Sequence, residues 1–469
     1  MTLIKNISGF RGTVGGPPKE NLTPFDIVTS VSAFCKFLKE KYNTEDLTIT
    51  TGRDGRATGE NFHTIVNRTI SLMGIDVIDT GLSTTPTLCW GVMTDISHGG
   101  IMITASHNPE EYNGLKFFND EGEFLSREDM NMVITYSNTT DFEYKNSMNL
   151  GSINTYENLI EDHVNEILSL EIIPVEKIKS MDINIIVDRI NSGGSIASPL
   201  LLDKLSVNYK WINGEISGKF SHNPEPLVEN LSQLSQEVKK ENADFGIAVD
   251  PDVDRLVFFD ENGVIFGEEY TQVVCSDYVL SKNKGNTVST LSSSNAMRDI
   301  TLKHGCEYFY TAVGEMNVVK KMKEVKAVVG GEGGGGIIYP NLHYGRDALI
   351  GTALFLSLLT TTKEKVSEIK KRYSVYFMSK LKIKLSENLN IDSILSSISD
   401  KYSKYNPILI DGVFIEFNSS WVHLRKSNTE PIIRIFTESK SKEEADELAN
   451  KFYDLVNTFI WITHIGLYV

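Results

Sequence analysis

This sequence predicts an α/β protein of three or four domains around a cleft, the last domain being α+β, and three observations lead there. Short β-branched runs alternate with helical stretches through most of the 469 residues, the pattern of βαβ units with parallel or mixed sheets. The closing stretch instead mixes strands with helical segments in the manner of a smaller antiparallel α+β unit. Three apolar strands run directly into polar or glycine-rich loops, and ligands of open α/β sheets bind at the carboxyl ends of strands.

In the first region, Leu47 to Thr51, Ile75 to Ile78 and Gly100 to Thr104 read as strands, with helices at Pro24 to Glu40 and Gly59 to Met73. A second set opens at Ile183 to Asp188 and returns at Phe245 to Val249. A third includes Thr287 to Leu291 and Val325 to Gly330. The last holds strands at Phe377 to Ile383, Val413 to Phe417 and Ile432 to Thr437, with helices near Asp392 and Lys442. Junctions fall near residues 150, 260 and 370, giving expected domains 1–150, 151–260, 261–370 and 371–469. At about 100–200 residues per domain, the length agrees.

Composition narrows the function. Apolar residues make up 41% of the chain, close to the globular average of about 45–50%, which argues against long disorder. The formal charge of −16 argues against nucleic-acid and anionic-membrane partners, which need basic surface. It leaves room for a small anionic substrate held by a few focused cations. Cys35, Cys89, Cys275 and Cys306 are far apart in sequence and read as reduced, mostly buried thiols. Met1 to Gly12 shows no apolar signal core, and the apolar tail Phe459 to Val469 is too short to span a bilayer. The expected location is the cytoplasm. The role of the tail and the oligomeric state are not legible.

The strand Ile247-Ala-Val249 enters Asp250-Pro-Asp-Val-Asp-Arg255. Magnesium takes hard oxygen ligands in a compact octahedron, and alternating aspartates on a curled loop can aim at one point. Three other readings of this loop stand beside that one. Glu261 falls at position 12 of an EF-hand, but Arg255 occupies the glycine position and an apolar strand, Leu256 to Phe259, follows. A phosphatase would use Asp250 as nucleophile with Asp252 as acid. An acidic structural turn is the third.

Ile101-Met-Ile-Thr104 enters Ala105-Ser-His-Asn-Pro109. A serine hydroxyl at a strand end can act as nucleophile or phosphate carrier, with His107 donating to phosphate; a surface turn is the alternative. Lys116, closing Tyr112-Asn-Gly-Leu-Lys116, can reach back to that serine or move a proton. Ala327-Val-Val329 enters Gly330-Gly-Glu-Gly-Gly-Gly-Gly336, where Glu332 offers acceptors to sugar hydroxyls and no GK[ST] end marks a nucleotide loop. Arg425-Lys-Ser-Asn-Thr429 and Arg434 combine guanidinium, hydroxyl and amide donors suited to phosphate. Ser8-Gly-Phe-Arg-Gly12 and Gly52-Arg-Asp-Gly-Arg56 add glycine-flanked arginines, with Arg56 the more structural of them.

Taken in order, these segments resemble the α-D-phosphohexomutase family, from the N-terminus to about Glu438. The resemblance rests on Ser8 to Gly12, Thr104 to Pro109, Asn113 to Lys116, Asp250 to Arg255, Gly331-Glu332 and Arg425 to Pro431. It implies four domains around a central cleft, three related α/β domains and a TBP-like α+β fourth. Ser106 would carry the phosphoryl group, with magnesium on that phosphate and on Asp250, Asp252 and Asp254. Lys116 and Arg11 would assist proton transfer, beside His107. Arg255, Glu332, Arg425, Ser427, Asn428, Thr429 and Arg434 would bind the substrate. The implied reaction interconverts hexose 6-phosphate and 1-phosphate through a hexose 1,6-bisphosphate, with the fourth domain mobile. The opening residues Met1 to Gly16 look like phosphoglucosamine mutases, which favours glucosamine phosphate over mannose and glucose phosphates. Many family members carry Ser and His in the sugar loop where this chain has Gly334 and Gly336. The rivals are a sugar-phosphate phosphatase acting through Asp250 and a non-catalytic sugar-phosphate sensor.

Overall fold

The β-branched runs form four sheets in the computed structural model, which describes residues 1–94, 97–139, 141–384, 390–427 and 432–466, the last five by backbone alone. The first sheet contains β1 (Ile4–Asn6), β2 (Gly9–Thr13), β3 (Thr48–Arg53), β4 (Asp76–Leu82), β5 (Gly99–Ile103), β6 (Tyr112–Phe118) and β7 (Ile153–Thr155). The second contains β8 (Asn184–Asp188), β9 (Asn208–Ile212), β10 (Phe245–Val249) and β11 (Leu256–Asp260). The third contains β12 (Thr287–Thr290), β13 (Tyr308–Thr311), β14 (Val329–Glu332) and β15 (Gly336–Ile338). The fourth contains β16 (Phe377–Lys384), β17 (Val413–Glu416), β18 (Trp421–Lys426) and β19 (Ile432–Ser439).

One topology is used three times. The orders β6-β5-β3-β4, β11-β10-β8-β9 and β15-β14-β12-β13 are the same arrangement, to which the first sheet adds β1 and β2 at one edge and β7 at the other. In each, the first three strands are parallel and the fourth returns antiparallel to the third. The turn from third to fourth strand is therefore an equivalent place in all three domains. It carries Ser106, Asp250 to Asp254, and Glu332 at the mouth of the glycine loop. The fourth sheet, β16-β19-β18-β17, is wholly antiparallel.

Two differences from the sequence reading have clear causes. The run Val325 to Gly330 is not one strand: Val325 ends the helix Glu315–Val325, whose Val318, Val319 and Met322 bury one face, and β14 begins at Val329. Periodicity at three and four residues overrides β propensity there. Arg425 lies in β18 rather than in a loop, because Val422 and Leu424 alternate into the core of the fourth sheet. The apolar tail is in part the end of the helix Lys442–Gly466: Phe459 and Ile460 pack on that core, while Trp461 is exposed. Among the described residues, no helix is long and apolar enough to cross a membrane. The four cysteines are free.

The second and third domains share a core centred on Phe355, in the helix Ala348–Thr362. Its ring stacks on Phe258 of β11 at 4.0 Å and meets Phe245 of β10 edge-on at 5.3 Å. Phe355→Ala is expected to cost about 3–5 kcal/mol. A urea titration checks this, and a variant whose transition midpoint does not fall would contradict it.

The fourth sheet docks on the third domain through Leu291, Phe414 and Trp421. Glu438 is buried at this junction, accepting from the Trp421 indole at 2.8 Å and from the Asn295 amide at 3.0 Å. Burial pushes its carboxyl up to about 7, against the lowering effect of these donors. At pH below about 4.5 the group is protonated whether folded or unfolded, and its contribution is complete. As pH rises, the unfolded chain releases the proton first, so stability falls until the folded pKa of about 7 is passed. Urea midpoints for the wild type are expected to drop between pH 5 and 8 more than those of Glu438→Gln; equal slopes would remove Glu438 as the cause.

Candidate active site

The serine turn is shaped by a buried cation. Arg56 Nε bonds Asp54 Oδ2 at 3.1 Å, and its two terminal nitrogens donate to the carbonyls of Ser106, Asn108, Pro109 and Tyr112 at 2.6–2.8 Å. A guanidinium has five donors in a fixed fork, and here four of them hold one loop while the fifth holds Asp54. Asp54 also accepts from Thr104 Oγ1 at 2.6 Å, which in turn accepts the Ser106 amide at 2.9 Å. Ser106 is forced to φ 49°, a left-handed conformation uncommon outside glycine. That turn aims Oγ across to the second domain, 3.0 Å from Asp250 Oδ2. Arg56 is thus structural, as its sequence context indicated.

The aspartate loop is equally constrained. Val253 sits at φ 63°, a costly place for a β-branched residue, with its amide on the Asp250 carbonyl and its carbonyl accepting the Ala348 amide. Asp250 Oδ1 takes the amides of Asp254 and Arg255, both at 3.1 Å. Asp250, Asp252 and Asp254 are fully buried, and one carboxylate oxygen from each lies within 4.8 Å of the others. Burial, then the charges of Asp254 and Asp252, push Asp250 well above the ordinary carboxylate range. Burial would raise Asp254 as well, but Arg346 and Lys116 outweigh it and hold that carboxyl low.

Lys116, on β6, answers part of this charge, with Nζ 2.6 Å from Asp252 Oδ2 and 3.0 Å from Asp254 Oδ2. Its burial favours the neutral amine, yet the two carboxylates raise its pKa above that of free lysine. The remaining oxygens, Asp252 Oδ1 and Asp254 Oδ1, are buried without a hydrogen-bond partner. Orphaned carboxylate oxygens are costly. Hard oxygens at this spacing, with no soft donor among them, suit a small divalent cation such as magnesium.

A cavity of about 380 Å³ opens over this loop, and all four domains line it. The first contributes Arg11, Ser106, His107 and Lys116; the second, Arg255; the third, Glu332; the fourth, Arg425, Ser427 and Arg434. Asn428 and Thr429 lie outside the described residues. Arg11, on β2, donates to Asn108 Oδ1 at 3.1 Å. His107 Nδ1 lies 3.4 Å from Ser106 Oγ. Burial first, then the charges of Arg255 and Arg11, keep His107 well below the usual imidazole range, so at neutral pH it is an uncharged ring with a single N–H to offer. Arg425 of β18 and Arg434 of β19 are a directly opposed cross-strand pair. Like charges so placed destabilise a sheet unless opposite charge answers them, and both residues line the cavity. Arg425 Nε is 3.0 Å from Asp411 Oδ2.

Arg346 is the residue that sequence reasoning missed. Its guanidinium reaches Asp254 at 2.8 Å, Glu315 at 2.8 Å and Glu332 at 3.1 Å. A Cβ on Gly336 would lie 2.3 Å from Arg346 Cδ, so the missing side chain at 336 is what admits Arg346. Gly335, at φ +88°, packs so closely that a Cβ there would lie 2.6 Å from the Leu256 carbonyl oxygen, and its own carbonyl accepts the Leu256 amide at 2.9 Å, which seats the glycine loop on the aspartate loop's exit strand. The only signal for Arg346 in the sequence was a lone Gly345-Arg-Asp347 at the start of an apolar helix.

Comparisons with known proteins agree with this architecture. Phosphoglucomutase/phosphomannomutase models match in four pieces: alpha/beta/alpha domain I at residues 3–144, II at 161–263, III at 268–376, and the C-terminal domain at 359–455. A phosphoglucomutase/phosphomannomutase of Thermococcus kodakarensis is 34% identical over 93% of this chain and 96% of its own length. A phosphoglucosamine/phosphogalactosamine mutase of Sulfurisphaera tokodaii is 33% identical over 97% and 99%. A crystal structure of a phosphoglucomutase/phosphomannomutase family protein from Burkholderia thailandensis superposes with a TM-score of 0.83, at 22% identity over 97% of each chain.

Proposed function

The chain belongs to the phosphoglucomutase/phosphomannomutase family, and from that premise we propose that it moves a phosphoryl group between the 6- and 1-oxygens of a hexose, with Ser106 as carrier. The observation that carries the reading is the meeting of Ser106 Oγ and Asp250 Oδ2 at 3.0 Å beneath a cavity lined by arginines of all but the third domain's loop, with Arg346 of that domain completing the set. The family names of the relatives support the reaction class, and the phosphoglucosamine/phosphogalactosamine mutase among them supports an amino-sugar phosphate as substrate.

Asp250, Asp252 and Asp254 would hold a magnesium ion, which when bound supplies positive charge to the transferring phosphoryl oxygens. The side chains do the rest. Arg425, Arg434 and Ser427 hold the substrate's other phosphate, so the sugar is fixed by the end that does not react. Glu332 accepts from a sugar hydroxyl, held in place by the Gly314 amide at 3.0 Å and Arg346 at 3.1 Å. As the Ser106 O–P bond breaks, a new O–P bond forms to the sugar hydroxyl. Lys116, protonated at rest, gives its proton to the serine oxygen and is restored by the proton that the hydroxyl loses. The bisphosphorylated sugar turns within the cavity and returns its other phosphoryl group to Ser106.

A phosphatase acting through Asp250 fits less well. Its Oδ1 accepts two backbone amides and its Oδ2 the serine hydroxyl, and it is Ser106, not Asp250, that lines the cavity. A coupled assay on glucosamine, glucose and mannose 1- and 6-phosphates, primed with hexose 1,6-bisphosphate, tests the proposal. The expected order is glucosamine phosphate first; release of inorganic phosphate without isomerisation would overturn it.

A further inference from the structure

Beneath the cleft lies a second cluster of metal-ligating side chains that the proposed reaction does not use. His163, in the helix Leu159–Ser169, meets His343 and Asp347, which precede the helix Ala348–Thr362. All three are buried, with His163 and Asp347 fully so. One donor atom from each lies within 4.8 Å of the other two. His163 Nε2 is 3.3 Å from Asp347 Oδ2, and His343 Nε2 is 3.4 Å from the same oxygen.

These separations are informative. An N–H···O hydrogen bond closes to about 2.9–3.0 Å when it is free to do so. Tetrahedral bonds of about 2.0–2.1 Å to nitrogen and oxygen place neighbouring donor atoms about 3.3–3.4 Å apart. His163 Nε2 also has no hydrogen-bond partner, although it is sealed from water and faces Asp347. Its other ring nitrogen is committed to Thr87 Oγ1 at 3.1 Å, and its face to the Trp90 ring at 5.5 Å. A ligating imidazole is oriented by an acceptor on its other ring nitrogen, a place that Thr87 Oγ1 can fill here. Asp347 Oδ1 takes the Leu349 amide at 2.7 Å, leaving Oδ2 for the histidines.

We propose that His163 Nε2, His343 Nε2 and Asp347 Oδ2 bind a divalent transition ion of the zinc class in a buried site of three protein ligands. Two imidazoles and one carboxylate suit such an ion and do not suit magnesium, which takes oxygen. The three protein ligands leave one tetrahedral position to a water. The ion ties the first helix of the second domain to the start of the last long helix of the third, one residue after Arg346. It thereby fixes the backbone from which Arg346 reaches Asp254 and Glu332. This inference does not depend on the proposed reaction.

The test uses the full chain, purified without a metal-affinity tag and dialysed against excess magnesium. Metal analysis is expected to find about one zinc-class ion per chain, and cobalt(II) loading is expected to give the visible absorption of a four-coordinate site. Both signals should persist in Asp252→Asn and be lost in His163→Gln and in His343→Gln. The wild-type cobalt spectrum decides the matter even where a histidine variant does not fold. Wild-type protein that retains below about 0.1 ion per chain after zinc or cobalt exposure overturns the proposal, as does an ion lost in Asp252→Asn or retained by both histidine variants.

Discussion

Ser106→Ala is expected to abolish isomerisation, by at least about 1,000-fold, as removal of a group that acts covalently does. The hydroxyl is the only atom removed, and the turn that positions it is held from elsewhere. Arg56 grips four carbonyls around the loop, and Thr104 receives the residue's amide. The variant should therefore fold with unchanged stability, and the loss should fall on kcat with sugar-phosphate binding intact. Intact-mass and peptide mass spectrometry give the complementary readout. Wild-type protein incubated with hexose 1,6-bisphosphate should gain one phosphate that maps to Ser106, and the variant should gain none. Retained isomerisation, or a phosphate that maps to Asp250, would transfer the chemistry to another residue.

Asp252→Asn is expected to be nearly as damaging for a different reason. Asp252 is fully buried, gives one oxygen to Lys116 at 2.6 Å and keeps the other without a protein partner. The amide preserves shape but removes the charge that a divalent cation and Lys116 both require. Loss of outer partners alone weakens metal sites by about 10–100-fold; loss of a ligating charge should exceed that, so magnesium affinity is expected to fall by at least about 100-fold. Turnover measured against magnesium concentration checks this: the half-saturation point should move far upward. A second consequence separates the metal from the lysine. Loss of Asp252 removes one of the two carboxylates that raise the Lys116 pKa, so the basic limb of the variant's pH–rate profile should shift toward lower pH. Unchanged magnesium dependence would remove Asp252 from the metal site.

Much of the site was legible because its chemistry is local. A strand followed by Ser-His-Asn, or by alternating aspartates, is contiguous in sequence, and the apolar runs Ile101 to Ile103 and Phe245 to Val249 mark where each strand ends. The glycine loop and the Arg425 segment announce themselves in the same way. Residues that work through distant contacts did not. Arg346 acts only because Gly336, across a hairpin, has no side chain. The opposition of Arg425 and Arg434 depends on the β18–β19 register, and a one-residue slip would send them to different faces. Val325 misled because a single valine is equally at home on a helix face and in a strand.

Neighbours along the chain were enough to specify most element types, the three strand-end loops, the antiparallel closing domain and the residue types suited to phosphate or metal. Packing alone brings Ser106 and Asp250, 144 positions apart, to 3.0 Å from each other, joins Arg346 to the acids, and gathers His163 of one helix with His343 and Asp347 of the segment before another. The reason is physical: propensity and periodicity act over a few residues, whereas the meeting of charges is fixed by how repeated sheets pack about a common cleft, where each buried carboxylate must find a partner.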